Sequence, residues 1–266
     1  MTLRICPIVH SAVIPAHNEA HNLPALVAEV DAVLAGMGEP YEIVVVNDGS
    51  TDDTSEVLRR LAGSYPALRP VDLDGNYGQS AAFDAGFRCA RGAILITLDA
   101  DGQNPPAEIP RVVSALDRAD MACGWRQGRR DSFVKRWASK LANTVRRLVL
   151  NDGIRDTGCS LKAFRREVVE RMKLFHGMHR FLPALAQMEG FAVAEVPVAH
   201  HPRLRGKSHY GVWNRLWGPL VDMCVVYWMK RRCRRWRIVE QEASLEIPAP
   251  RAAPSAGTPA VARRAG

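Results

Sequence analysis

Residues Ile94 to Pro106 read ILITLDADGQNPP, an apolar β-like run that passes directly into two aspartates, a glycine, an amide pair and two prolines. In an α/β sheet, ligands gather beyond the carboxyl ends of the strands, so carboxylates at a buried strand's end point to a site. Asp99 and Asp101 stand one residue apart and can offer two hard oxygen ligands to one divalent cation. Mg²⁺ is commonly held in this way, by one or two carboxylates completed by oxygens of a phosphorylated substrate. Taken alone, a D-x-D also reads as an acidic turn.

Outward from this stretch, short β-branched runs alternate with amphipathic segments. Strands are expected at Ile8–Ile14, Tyr41–Asn47, Leu68–Leu73, Ile94–Leu98 and Met121–Trp125, and helices at Leu23–Leu34, Thr54–Leu61, Ser80–Ala90 and Ile109–Leu116. That alternation predicts an α/β fold with a mostly parallel sheet and right-handed crossovers. Further on, Phe133–Leu150 reads as a helix, IRDTGCSLKAF (154–164) as a loop, and FAVAEVPVAH (191–200) as a strand that extends the same sheet. With 266 residues, 47% of them hydrophobic, the chain can bury one sizeable core. The expected organisation is a catalytic domain over 1–210, an amphipathic helix with a basic segment over 211–237, and a disordered tail over 238–266.

The formal charge of +8 implies an anionic partner: a phosphate-rich ligand, a lipid surface or nucleic acid. No helix-turn-helix, zinc-finger or RNP signature accompanies the basic residues, which argues against nucleic acid. Six scattered cysteines form no C-x-x-C pair, and the histidines show no H-E-x-x-H spacing, so neither a zinc site nor a disulfide framework is indicated. The opening residues lack the charge and apolar pattern of a signal peptide, and a reducing cytosol is the expected compartment.

Each strand run ends in polar residues: IPAHNE after the first, VVNDGSTDDT after the second, DLDGNYGQS after the third and TLDADGQNPP after the fourth. Four such ends at one sheet edge suggest a nucleotide site. A phosphate-cradling G-x-x-x-x-G-K-[ST] loop is absent, as is a G-x-G-x-x-G after the first strand, so a cation and basic side chains must neutralise the phosphates.

The set VIPAHNE, VVVNDGSTDDT, GNYGQSAAFDAGF, LDADGQNPP, RDTGCSLKAFRRE and HHPRLRGKSHYG, in collinear order over about Val13 to Arg232, resembles the family 2 glycosyltransferases of the GT-A fold. Within them it is similar to the polyprenyl-phosphate glycosyltransferases, the group that includes dolichyl-phosphate mannose synthases. Its DADGQNPP form looks more like the bacterial relatives that act on undecaprenyl phosphate. The resemblance implies a nucleotide-sugar donor, Mg²⁺ or Mn²⁺ on the D-x-D, and an inverting transfer to a lipid phosphate. It assigns Pro15, Asn18 and Glu19 to the nucleoside pocket and Asp48 to the base. Asp99, Asp101 and Gln103 fall on the metal and diphosphate, Arg126 on phosphate, and Asp156 on the sugar. Arg136 and Ser139 correspond to a helix pair, and Arg203, Arg205, Lys207 and Ser208 to the acceptor loop. Lys162 stands where dolichol enzymes carry arginine, so the planar bidentate donor is lost.

A phosphate acceptor also makes chemical sense of the residues. A sugar hydroxyl needs a general base, whereas a phosphate monoester with a second pKa near ~6 is already mostly dianionic at pH 7. The alternative acceptor is a saccharide or other soluble molecule, for which Asp156 is the nominee base. Trp213, Leu216, Trp217, Leu220, Val221, Cys224, Val225 and Trp228 recur at helical spacing before the basic run KRRCRRWR, a pattern that fits an interfacial helix on an anionic membrane surface. The expected location is therefore peripheral, on the inner face of the cell membrane. Oligomeric state stays open, with a small membrane protein as a further candidate partner.

Overall fold

The computed structural model describes residues 8–127, 144, 146, 149–201 and 214–232. Its strands are β1 (His10–Ala16), β2 (Tyr41–Asn47), β3 (Leu68–Asp72), β4 (Ile94–Thr97), β5 (Met121–Arg126), β6 (Lys162–Arg165) and β7 (Val193–Val198). Its helices are α1 (Leu23–Gly36), α2 (Thr54–Ser64), α3 (Gln79–Cys89), α4 (Ile109–Ser114), α5 (Arg166–Arg171), α6 (Leu182–Met188) and α7 (Asn214–Arg232). Single 3₁₀ turns at Pro106–Glu108, Ala115–Asp117 and Met178–Arg180 join some of them.

The strands form one sheet in the order β3-β2-β1-β4-β6-β5-β7. All neighbours run parallel except β6, which is antiparallel to both β4 and β5. The chain winds outward from β1 through β2 to β3, then returns to lay β4 on the other side of β1. Direction reverses between β1 and β4, and a crevice at such a reversal is where α/β sheets bind ligands.

The sequence explains the layering. Every residue of β1 is buried, as expected for a central strand covered on both faces. Successive side chains alternate: Ala12, Ile14 and Ala16 pack with Leu23, Leu26, Val27, Val30 and Leu34 of α1, while Val13 packs with Phe83 and Phe87 of α3. The α1 apolar residues recur every three or four positions, and Pro24 in its first turn costs no internal hydrogen bond. Helix α3 lies close to the sheet because residue 86 is glycine. A Cβ there would press into Val13 and stand 3.1 Å from Val46 Cγ2.

Two expectations are corrected. Residues Lys162–Phe164, read as the end of a loop, form with Arg165 the antiparallel strand β6 in the middle of the sheet, with Thr97 and Cys123 both paired to Lys162. The first strand begins at His10 and runs to Ala16, two residues later than the expected Ile8–Ile14. The 191–200 strand lies in the sheet as expected, as β7 at its edge. Most of the expected helix over 133–150, and the 238–266 tail, lie outside the described residues.

Helix α7 carries Met223 and Val226 inward, into the core that also holds Met178, Phe181, Leu182 and Leu185. Its outer side exposes Leu220, Val221, Val225 and Trp228, the last at 61%. Lys230, Arg231 and Arg232 close its final turn. Among the described residues, no helix is long and apolar enough to cross a membrane.

Candidate active site

The parallel strands end, and the antiparallel β6 begins, at one edge of the sheet, so the loops after β1 to β5 and β7 meet the loop before β6. The first cluster comprises the loops after β1, β2 and β3. Asn18 has a left-handed backbone (φ 57°). Its Oδ1 accepts the Thr51 amide at 2.8 Å, and its own amide donates to Ser50 Oγ at 2.9 Å. The Glu19 amide donates to Thr54 Oγ1 at 3.0 Å, and its carboxylate accepts Asn22 Nδ2 at 2.6 Å. Pro15 is buried in β1 beside Val46. Asp48 is buried, and its two carboxylate oxygens accept the amides of Tyr77 and Gly78 at 2.7 and 2.8 Å. The expected nucleoside residues therefore brace these loops against one another, and Asp48 in particular ties the loop after β2 to the loop after β3.

Gly49 is required where these loops touch. Its φ is +58°, and a Cβ would stand 2.5 Å from Asn76 N and against the Gly75 backbone. Gly49→Ala is expected to destabilise the protein by about 1–3 kcal/mol through overpacking and left-handed strain. Urea unfolding measures this, and a wild-type midpoint would contradict the close approach.

The second cluster surrounds the D-x-D. Asp99 Oδ1 accepts Gln79 Nε2 at 2.6 Å, and the Asp99 amide donates to Ser160 Oγ at 3.1 Å. Asn104 Nδ2 donates to the same Ser160 hydroxyl at 2.6 Å, and Thr97 Oγ1 donates to the Ser160 carbonyl at 2.6 Å. Asp101 is buried and accepts the Gln103 amide at 3.1 Å. The Gln103 carbonyl accepts the amide of His201, where the basic loop begins. Burial, then the neighbouring charge of Asp101, pushes the Asp99 carboxyl up to about 6, against the opposing pull of Lys162, Ser160 and Arg126. Lys162 is itself buried and donates to the Cys159 carbonyl.

Two carboxylates close enough to repel one another, with an amide side chain beside them, form a hard oxygen set that suits a divalent cation. Among the described residues no group of three or more His, Cys, Asp or Glu could hold a metal ion, so other ligands would have to come from amide oxygens and from the bound phosphates.

The third cluster is an ion pair. Arg126, at the end of β5, donates through Nε to Asp156 Oδ2 at 2.7 Å and through a terminal nitrogen to Oδ1 at 2.9 Å. The Arg126 and Gly158 amides also donate to this carboxylate, at 3.2 and 3.0 Å. Burial pulls the Arg126 guanidinium down, but the hydrogen bonds and charge of Asp156 outweigh it and leave it raised.

Asp99, Asp101, Gln103, Arg126 and Asp156 thus stand at the same edge of the sheet, where Ser160 joins the loop of Asp99 and Asn104 to the loop before β6. Gln79, Asn104 and Ser160 were not nominated from the sequence, although Gln79 lies inside GNYGQS and Ser160 inside TGCSLK. Arg136, Ser139, Arg203, Arg205, Lys207 and Ser208 lie outside the described residues.

Comparison with known proteins agrees with this architecture. The undecaprenyl-phosphate 4-deoxy-4-formamido-L-arabinose transferase of Edwardsiella ictaluri is 42% identical over 205 residues, covering 76% of this chain and 63% of that protein. The dodecaprenyl-phosphate galacturonate synthase of Rhizobium johnstonii is 37% identical over 231 residues, covering 84% and 68%. The chain thus spans about two-thirds of the length of these relatives. Among solved structures, glucosyl-3-phosphoglycerate synthase from Mycobacterium tuberculosis with Mg²⁺ and uridine diphosphate has a similar fold, with TM-score 0.62 at 18% identity over 86% of this chain and 81% of that one. Mannosyltransferase PcManGT from Pyrobaculum calidifontis, in complex with GDP-Man and Mn²⁺, gives 0.59 at 22% identity over 89% and 69%. The profile of Glycosyl transferase family 2 matches residues 11–173, from the second residue of β1 to just beyond α5. The chain therefore belongs to glycosyl transferase family 2.

Proposed function

We propose that this chain transfers one sugar from a nucleotide-sugar donor to a polyprenyl phosphate, with inversion at the anomeric carbon, at the inner face of the cell membrane. The observation that carries the reading is the pairing of an acidic D-x-D cluster with the Arg126–Asp156 ion pair at one sheet edge. The names of the relatives at 37–42% identity support the lipid-phosphate acceptor.

The chemistry follows from the residues. A phosphate oxygen of the acceptor attacks the anomeric carbon, the carbon–oxygen bond to the donor's diphosphate breaks, and the electron pair leaves with the nucleoside diphosphate. No proton need be removed from a dianionic phosphate. Asp99, Asp101 and Gln103 would hold a divalent cation, Mg²⁺ or Mn²⁺, which supplies positive charge to the departing diphosphate. Arg126, fixed by Asp156, places a permanent cation near the same edge and reduces repulsion between the two phosphorylated substrates. The loops at Asn18–Glu19 and Asp48–Gly49 give the nucleoside a rigid wall.

The second reading, a soluble acceptor activated by Asp156 as base, has less support. Both Asp156 oxygens already accept hydrogen bonds from Arg126, so a base role would require an acceptor hydroxyl to compete with the guanidinium. Incubation with undecaprenyl phosphate and a panel of UDP- and GDP-sugars tests the proposal. A lipid-linked sugar product is expected with one donor, and transfer only to soluble saccharides would favour the second reading.

Membrane attachment rests on α7. Its outer apolar residues and final basic turn match a helix lying in an anionic interface, with each basic residue there contributing about 1 kcal/mol. The protein is expected to co-sediment with phosphatidylglycerol vesicles at about 0.15 M salt, and to do so less after Trp228→Glu and Val221→Glu. Equal recovery in the supernatant with and without vesicles would count against it.

A further inference from the structure

The Gln79 side chain reaches Asp99 from a position that the C-terminal helix helps to fix. Gln79 opens α3 directly after Gly78, whose φ of +85° turns the chain into the site. Its Nε2 donates to Asp99 Oδ1 at 2.6 Å. The next residue, Ser80, is buried: its Oγ accepts the Gly177 amide at 3.1 Å and shares a 2.8 Å hydrogen bond with His179 Nδ1. Gly177 is left-handed at φ +91°, and a Cβ there would stand 3.0 Å from Asp222 Cγ and tighter still on its carboxylate. Asp222 belongs to α7, whose Met223 and Val226 are buried in the core that holds Met178 and Phe181. Contacts therefore run without a gap from α7, through the turn at Gly177–Arg180 and Ser80, to Gln79 and the first carboxylate of the D-x-D.

We propose that Gln79 is a positioning residue for Asp99. Its amide fixes the rotation of that carboxylate toward the cation and diphosphate, and α7 sets the placement of Gln79 through Asp222, Gly177 and Ser80. The inference rests on the reading of Asp99 and Asp101 as cation-holding carboxylates. A carboxylate held from outside by a hydrogen-bond donor presents its remaining lone pairs in one direction, and removing such outer partners typically costs about 10–100-fold in metal affinity. No sequence motif assigns this role, because the donor and acceptor are 20 residues apart and the buttress comes from residues 97 to 99 positions further on.

The test measures Mn²⁺ binding to the full chain in the presence of UDP by electron paramagnetic resonance, alongside UDP binding without metal and thermal unfolding. Gln79→Leu preserves the side chain's bulk but not its donor. It is expected to weaken Mn²⁺ binding about tenfold while metal-free UDP binding and unfolding temperature hold. Ser80→Ala is expected to weaken Mn²⁺ binding about threefold, and Asp84→Ala, further along α3, to leave it unchanged. Wild-type Mn²⁺ affinity in Gln79→Leu overturns the positioning role. Weak binding in Gln79→Leu with full affinity in Ser80→Ala overturns the part given to α7. A wild-type protein that binds UDP but no Mn²⁺ overturns the cation-site reading and this inference with it.

Discussion

Asp101→Asn is expected to lower sugar transfer about a hundred- to a thousandfold while leaving the fold intact, an effect of the size seen when one preorganised electrostatic contact to a developing charge is removed. The structural half of the expectation follows from geometry: an asparagine oxygen can still accept the Gln103 amide that Asp101 accepts at 3.1 Å. The functional half follows from charge. Asp101 contributes a full negative charge beside Asp99, strong enough to help push the Asp99 carboxyl up to about 6. Removing it lets Asp99 ionise more readily, yet takes away half of the charge that would hold a divalent cation. Lost activity with an easier Asp99 ionisation would therefore point to cation binding, not to protonation. Cation affinity in the wild type is expected to fall as pH drops through about 6, because the proton then competes for Asp99. Radiolabelled-sugar transfer, circular dichroism and an EDTA control check these statements together. Full activity in EDTA would sink the assignment.

Arg126→Met is expected to damage both stability and transfer. The guanidinium spans the Asp156 carboxylate with bonds of 2.7 and 2.9 Å, and only 15% and 11% of the two side chains remain exposed. Removing the guanidinium takes two charged hydrogen bonds from a largely buried carboxylate that the backbone amides of residues 126 and 158 also reach. Breaking a buried pair from one side typically costs 3–5 kcal/mol, and residual exposure reduces this to about 2–3 kcal/mol. Urea unfolding gives the stability cost, and initial rates at saturating donor give the loss in transfer. The reciprocal change separates the two acceptor readings. Asp156→Asn keeps the shape and weakens the pair. If transfer goes to a phosphate, the pH dependence of the rate keeps its wild-type form, with a lower ceiling. An acidic limb that vanishes in Asp156→Asn would instead identify Asp156 as a base.

Much of the fold was legible because its strands are continuous hydrophobic runs and its helices show clear three-to-four spacing. Tyr41–Asn47 and Thr54–Leu61 are examples, the first matching β2 and the second falling inside α2. Strand β6 was not, since its four residues include Lys162 and Arg165 and sit in a segment rich in turn formers. Its identity comes from pairing with β4 and β5, contacts about 40 to 70 residues away along the chain that no local pattern encodes. The D-x-D was visible for a similar local reason, standing at the end of a short apolar run. Its hydrogen-bond partners were not: Gln79 opens helix α3, 20 residues earlier, and Ser160 stands in the turn before β6, 61 residues later. Asp48, which the family resemblance assigns to the base, also accepts two amides of the neighbouring loop, a bracing role that no local pattern shows.

The antiparallel strand β6 also bears on how the protein is made. During synthesis, β1 to β4 can assemble first, since they are consecutive in the chain and mutually parallel. Until residue 165 emerges, β4 is an open edge with its ladder unsatisfied, and an unprotected edge of apolar residues invites pairing with another chain. A nascent chain halted near residue 155 would already carry both aspartates of the D-x-D, without Ser160 to hold the Asp99 amide and with β4 exposed. Chaperone demand should therefore peak over that window and fall once β6 closes the sheet.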